Sequence, residues 1–412
     1  MVSELKVEID PAEAGFDADR LQRIDRHFAG YVDDGRLPGW LIVVTRAGRV
    51  VHLSAYGQRD MEAGLPVELD SVWRIYSMTK PVTSVAAMML YEEGAFELKD
   101  PVSRFIPSFA GVRVYKQGSS VNPITEPATE PVRIWHLLTH MSGLTYGFHY
   151  NHPVDAMYRA AGFEWGSPPG MDLAACCDAW ASFPLLFQPG TEWNYGVSTD
   201  VLGRVVEVVS GQSLDAFFEE RICRPLGMDN TAFWVDGSDA ERLGALYMPD
   251  PTTGRATRLD LLGDLAFTRP SAFSGGGGLV ATAADYHRFT QMLLNEGELD
   301  GVRLLGSRTV RYMAENHLPG GVDLEAIGRP LFSETTFDGT GFGLGFSVLA
   351  DPVKNKVLAS PGEYAWGGAA STAFWIDPVE QITALFFTQL LPSSTYPIRP
   401  QLKQLVYQAL VD

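Results

Sequence analysis

The stretch Ser77-Met78-Thr79-Lys80-Pro81 decides the reading of this chain. It follows the apolar run Val72-Trp73-Arg74-Ile75-Tyr76 and opens a helical pattern over residues 81–91, where Pro81 is tolerated because first-turn N–H groups have no intrahelical acceptor. Positions three apart share one helix face, so the Lys80 ammonium can approach the Ser77 hydroxyl. An alcohol is a poor nucleophile near its free pKa, and a desolvated amine beside it can serve as base. The helix start adds free N–H groups and partial positive charge where an oxyanion would develop. Alone the signal is weak: a chain this long contains about one S-x-x-K by chance, and a surface serine and lysine is its bland reading.

Two later stretches give the motif company. Tyr195, in Glu192-Trp193-Asn194-Tyr195-Gly196-Val197-Ser198, sits in a loop just before a helical pattern, where its phenol can point into a cleft. Taken by itself it reads more readily as an amphipathic core or interface tyrosine. Tyr364-Ala365-Trp366-Gly367-Gly368-Ala369-Ala370-Ser371 runs between loop and strand, and its glycines would let a backbone N–H come close to a substrate. The plain alternative there is a bulged sheet edge.

Further out, the two chain ends read alike. Leu21, Ile24, Phe28, Tyr31 and Val32 predict an amphipathic helix over 17–33. Residues 40–45 and 49–53 flank Arg46-Ala47-Gly48 as a hairpin, and 371–376 and 381–388 flank Asp377-Pro378-Val379-Glu380 as another. The middle is helical in texture at 133–140, 201–209, 214–222 and 283–294, the last with Thr282 as N-cap, while Gly211 and Gly227 act as stops. The expected fold is α+β: an antiparallel sheet from both chain ends, flanked by helices, with a mostly helical region inserted. The division is 1–95 with 280–412 for the sheet domain and 96–279 for the helical one, the latter with long Gly/Pro/Ser-rich loops at 112–131 and 147–170.

Of the 412 residues, 46% are hydrophobic and 20% charged, enough for a sizeable core. A net charge of -18 opposes nucleic acid and anionic membranes. The N-terminal Met1-Val2-Ser3-Glu4 stretch has neither the basic nor the apolar run of a secretory signal, and no segment approaches a membrane span. Cys176, Cys177 and Cys223 lack metal or disulfide spacing and suit buried thiols, so a cytoplasmic setting is expected.

Taken in order, Ser77 to Lys80, Tyr195 and Trp366-Gly367-Gly368 resemble the three motifs of the serine β-lactamase and penicillin-binding protein superfamily, within it the class C β-lactamase-like (family VIII) esterases and related transesterases. Supporting stretches are Leu137-Leu138-Thr139-His140-Met141-Ser142-Gly143-Leu144, Pro189-Gly190-Thr191, Arg224-Pro225-Leu226-Gly227-Met228 and residues 275–282, so the resemblance spans about 15–410. It implies a β-lactamase/DD-peptidase-like α/β sandwich and a Ser77 acyl-enzyme, with Lys80 and Tyr195 as proton-transfer pair. It further implies an oxyanion hole from the N–H groups of Ser77 and Ala369, and no metal or organic cofactor. Two departures bear on substrate. The tyrosine motif of β-lactamases carries an asparagine where this chain has Val197, and the third motif begins with Trp366 rather than a carboxylate-binding lysine. Both changes remove polar handles and favour neutral esters with small to medium hydrophobic acyl groups. Tyr146 and Phe148 are candidates for the acyl wall, with ordinary loop packing as the alternative.

Rival sites are weaker. His136 and His140 are four apart but lack the glutamate of H-E-x-x-H, and Gly341-Phe342-Gly343-Leu344-Gly345-Phe346 lacks the lysine and helix of a nucleotide loop. No G-x-S-x-G occurs. The sequence therefore favours a carboxylesterase acting on a small-molecule ester, over a transesterase using an alcohol acceptor, a weak β-lactamase, or a non-catalytic scaffold. A monomer or homodimer fits equally.

Overall fold

Residues 41–44 are apolar at every position, a pattern that suits a strand covered on both faces. In the computed structural model, which describes residues 5–329 and 337–411, Gly39–Arg46 is the sixth strand of an eight-stranded antiparallel sheet. Met1 to Glu4, read above for a leader, lie outside these residues, as does Asp412. The sheet runs Thr340–Phe342, Ser347–Leu349, Tyr364–Gly367, Ala373–Asp377, Ile382–Phe387, Gly39–Arg46, Arg49–Asp60 and Leu65–Pro66. Both hairpins expected from the sequence are present, and their innermost strands pair with each other, Leu41 opposite Phe387 and Thr45 opposite Thr383. The two ends of the chain thus close one sheet.

Alternation along the central strand assigns each face its cover. Trp40, Ile42 and Val44 pack with Phe28 of helix Arg23–Asp33 and Leu402 of helix Ile398–Tyr407. Leu41 and Val43 pack on the opposite side with Phe289 of helix Ala283–Leu294 and with helix Thr79–Glu92. Each such apolar side chain contributes about 1.5–3 kcal/mol on burial. Every residue of Thr79–Glu92 from Thr79 to Leu90 is buried, so this helix is a central strut rather than an amphipathic surface element. Thr282 caps Ala283–Leu294, its hydroxyl accepting from the Asp285 N–H.

Three local expectations need correction. The helix over 17–33 is interrupted at Gln22, giving Ala18–Leu21 and Arg23–Asp33. The stretch 112–131 holds a hairpin of Arg113–Gly118 with Pro123–Pro127, tied by Arg113 Nε donating to Thr125 Oγ1 at 2.7 Å. The stretch 147–170 contains helix Pro153–Ala160, whose Pro153 begins the helix while Asp155 accepts from the N–H groups of Asn151 and His152. Proline and polar residues there start a helix rather than prevent one. Among the described residues no helix is long and apolar enough to cross a membrane.

Candidate active site

Ser77 lies where a strand gives way to a helix. Val72–Arg74 pairs with Val280–Thr282, Ile75 N–H donates to Leu279 O at 3.1 Å, and the chain then turns through the 3-10 segment Tyr76–Met78 into Thr79–Glu92. Tyr76 takes φ 43°, a left-handed conformation that is costly for a bulky residue. The turn sets the Ser77 side chain in a cleft instead of on a regular helix.

Lys80 is 1% exposed. Its ammonium donates to Ser77 Oγ at 3.1 Å, to Tyr146 OH at 3.0 Å and to the Gly276 carbonyl at 2.7 Å, which uses all three of its protons. A buried cation so completely bonded is held in one position. Gly276 is fixed in turn, its N–H donating to Asp200 Oδ1 at 3.0 Å while Ser274 Oγ donates to the same oxygen at 2.5 Å. A Cβ on Gly276 would collide with the Asp200 carboxylate, so only glycine fits. Burial raises the Asp200 pKa, with the Lys80 charge opposing that rise.

The structure distributes two tyrosines around this amine. The Tyr195 ring lies under Lys80 Nζ at 4.4 Å from its centroid, and the Tyr195 hydroxyl accepts from Trp366 Nε1 at 3.2 Å. The phenol hydrogen-bonded to Lys80 is Tyr146, which the sequence placed on the acyl wall. Burial, then the Asp200 charge and Tyr195, pushes the Tyr146 phenol well above its ordinary pKa. His140, 1% exposed, packs its ring on Tyr195, and burial followed by the Lys80 charge holds it well below the usual histidine range, so it is neutral. His136 Nδ1 accepts from the Arg133 N–H at the start of helix Ile134–Leu138. Gly341 and Phe342 belong to the edge strand of the sheet.

Trp366, Gly367, Gly368 and Ala369 close the cleft opposite Ser77. A Cβ on Gly368 would run into the Ile75 carbonyl, so this loop passes directly against the segment that leads to Ser77. Trp366 to Ala369 line one cavity with Ser77, Tyr146, Tyr195 and Val197. The cavity is about 1010 Å³, and beyond Ser77 it is walled by Phe148, Trp165, Leu173, Cys176 and Phe233. Tyr146 stacks on Phe148 at 4.6 Å and 18°, and Phe148 stacks on Trp165 at 5.4 Å and 8°, so a ladder of rings runs from the lysine to the rim. Cys176 is a free thiol pushed by burial to about 12, an apolar wall atom rather than a nucleophile.

Nothing in the sequence singles out Asp200, and Gly276 enters only within the stretch 275–282. The available signal was an acidic residue within a helix, Ser198–Ser210, whose neighbours Val201, Leu202 and Val205 are wholly buried.

A profile of the Beta-lactamase family matches residues 24–408. Protein Rv1367c of Mycobacterium tuberculosis is 36% identical over 364 residues, covering 87% of this chain and 88% of its own. Esterase EstB of Burkholderia gladioli is 30% identical, covering 92% and 93% respectively. Among solved structures, EstCE1, described as a hydrolase with promiscuous acyltransferase activity, superposes with a TM-score of 0.78 at 26% identity over 95% of this chain and 98% of that one. With these matches spanning nearly its whole length, the chain belongs to the beta-lactamase family and has its fold.

Proposed function

We propose that this protein is a serine carboxylesterase acting on uncharged esters with hydrophobic acyl groups. The observation that carries the reading is the Ser77 hydroxyl 3.1 Å from a buried lysine amine that also holds a tyrosine hydroxyl, at the floor of an apolar cavity. Ser77 Oγ attacks the ester carbonyl while its proton passes to the Tyr195 oxygen, the three Lys80 protons being already engaged. Collapse of the tetrahedral species returns that proton to the departing alkoxide, which leaves as an alcohol. Water repeats the cycle on the acyl-enzyme and releases the acid.

Tyr195 is the general base of this scheme, with its ring under the Lys80 charge. Tyr146, kept protonated by its burial, supplies a second phenolic proton beside Ser77. The N–H groups of Ser77 and Ala369 receive the oxyanion, and among the described residues no acceptor is bonded to the Ala369 N–H. Trp366 in place of a cationic handle and Val197 in place of an amide leave the substrate's acyl side apolar. Esterase EstB, a relative by sequence, supports hydrolysis. Three buried free thiols fit the reducing cytoplasm, where we place the enzyme.

A second reading is acyl transfer to an alcohol. The ring ladder from Tyr146 to Trp165 favours it, because an apolar roof discriminates against water, and EstCE1 carries both activities in its description. The test compares nitrophenyl esters of graded chain length with a chromogenic cephalosporin, with and without a competing alcohol. Ester turnover well above cephalosporin turnover is expected. Dominant cephalosporin turnover would overturn the substrate reading, and diversion of product from acid to new ester would select the transferase.

A further inference from the structure

Strand Tyr364–Gly367 carries Trp366 and delivers Ala369 to the cleft, yet its pairing to Ser347–Leu349 on one side covers only two residues. On its other side it pairs along its whole length with Ala373–Asp377, and the C-terminal helix, Ile398–Tyr407, adds side-chain contacts at both ends. Arg399, Lys403 and Tyr407 are spaced four apart and so form one stripe on that helix. At the start of the strand, Lys403 Nζ pairs with the buried Glu363, and the Tyr407 hydroxyl lies 3.0 Å from Glu363 Oε2 and 2.6 Å from Asp377 Oδ2. At the far end, Arg399 Nη2 donates to the Gly368 carbonyl at 3.0 Å and to the Thr372 carbonyl at 3.1 Å.

Those two carbonyls bracket Ala369. Gly368 N–H also donates to Thr372 O at 2.9 Å, and Ser371, at φ 66°, donates its N–H to Gly368 O at 3.2 Å and its hydroxyl to Leu390 O at 2.7 Å. The loop is therefore a closed turn with one guanidinium bridging its two ends. A Cβ on Gly367 would strike that guanidinium, so the arginine packs flat against the strand backbone. Two N–H groups on one planar nitrogen donate to the two carbonyls and so hold them at a fixed separation.

The geometry points to Arg399 as the positioning residue of the oxyanion hole: from the C-terminal helix it clamps Gly368 and Thr372 so that the Ala369 N–H between them stays aimed at the Ser77 site. It does so through backbone and not by touching the reacting atoms. The inference rests on the proposed Ser77 acyl-enzyme chemistry, in which charge grows on the carbonyl oxygen only in the transition state. Loss of the clamp therefore falls on kcat and on binding of tetrahedral mimics, and spares ground-state ester binding.

The test measures kcat, KM, inhibition by a phenylboronic acid and thermal midpoint for Arg399→Gln and Arg399→Lys, with Phe28→Leu, in the neighbouring helix on the same cover of the sheet, as a stability control. Arg399→Gln is expected to lower kcat about 30- to 100-fold and to weaken boronate inhibition by a similar factor, with KM within about threefold. Arg399→Lys is expected to fall between it and wild type, and carries the comparison if the glutamine variant does not fold. A kcat within threefold of wild type overturns the inference. So does a kcat loss with unchanged boronate affinity, or an equal kcat loss in Phe28→Leu at the same thermal midpoint. Unchanged ester turnover by Ser77→Ala, run in parallel, would reject the nucleophile itself, a separate failure.

Discussion

Trp366 Nε1 donates to the hydroxyl of Tyr195 across 3.2 Å, joining the sheet strand that borders the cleft to the loop that precedes helix Ser198–Ser210. The residue that removes a cationic handle from the cleft therefore also fixes the phenol proposed as base. Trp366→Phe keeps the apolar wall and deletes the bond, and ester kcat/KM should fall about tenfold, the worth of one hydrogen bond near the reacting groups. Trp366→Lys should cost more on esters and raise cephalosporin turnover. Steady-state kinetics on both substrates check this, and an unchanged ester rate in Trp366→Phe would remove the bond from the account.

The two phenols have separable roles. Tyr195→Phe removes the proposed base and should lower kcat about a thousandfold, whereas Tyr146→Phe removes one of three acceptors of Lys80 and should lower it about a hundredfold. Both variants should keep the wild-type thermal midpoint within a few degrees. Wild-type kcat in Tyr146→Phe would reduce that tyrosine to a wall of the cavity.

Asp200 acts on Tyr146 through space, its negative charge helping to hold the phenol protonated. Removing a nearby anion lowers the pKa of an acid, so Asp200→Asn should move the alkaline limb of the kcat/KM profile to lower pH. A profile that scales down without shifting would separate Asp200 from the proton chemistry and leave it only the support of Gly276.

Trp165 is 54% exposed although it ends the ring ladder. Trp165→Ala should raise KM about three- to tenfold for aromatic or long acyl esters, as expected for loss of one stacked ring, and leave acetate esters nearly unchanged. An equal effect on all chain lengths would place the acyl group elsewhere.

Stability should fall with acid for a reason legible in three histidines, His136 buried and His149 and His287 half-buried. Burial holds His136 down to about 3, and His149 and His287 to about 4. Unfolded, each binds its proton near pH 6.5, so between about 6.5 and 4 the unfolded chain holds more protons than the native one. The native state is thus fully favoured above 6.5 and loses about 1.4 kcal/mol per pH unit per group below it. Thermal melts at pH 7, 6 and 5 should show a steadily falling midpoint, and a level midpoint would contradict this.

Local signals carried the reading where contacts are local. The turns at Arg46-Ala47-Gly48 and 377–380, the Thr282 cap and the Ser77 helix each rest on a few neighbouring residues, and all are found. Tyr146 was visible as an aromatic near the cleft, but its bond to Lys80 spans 66 residues and is made only by tertiary packing. The bond between Asp200 and Gly276, 76 apart, is hidden from the sequence for the same reason. At the hairpin Arg113–Gly118 with Pro123–Pro127 and at helix Pro153–Ala160 the sequence signals loop, because proline and glycine mark turns as well as element starts.

In the proposed chemistry Ser77, bonded to Lys80, is the nucleophile. Mass spectrometry of peptides after brief reaction with a fluorophosphonate or a slow-turnover ester tests it most directly. The adduct should lie on the peptide containing Ser77, be absent in Ser77→Ala and form at least about a hundredfold more slowly in Lys80→Ala. An adduct on another residue, or one whose rate is indifferent to Lys80, would contradict the account.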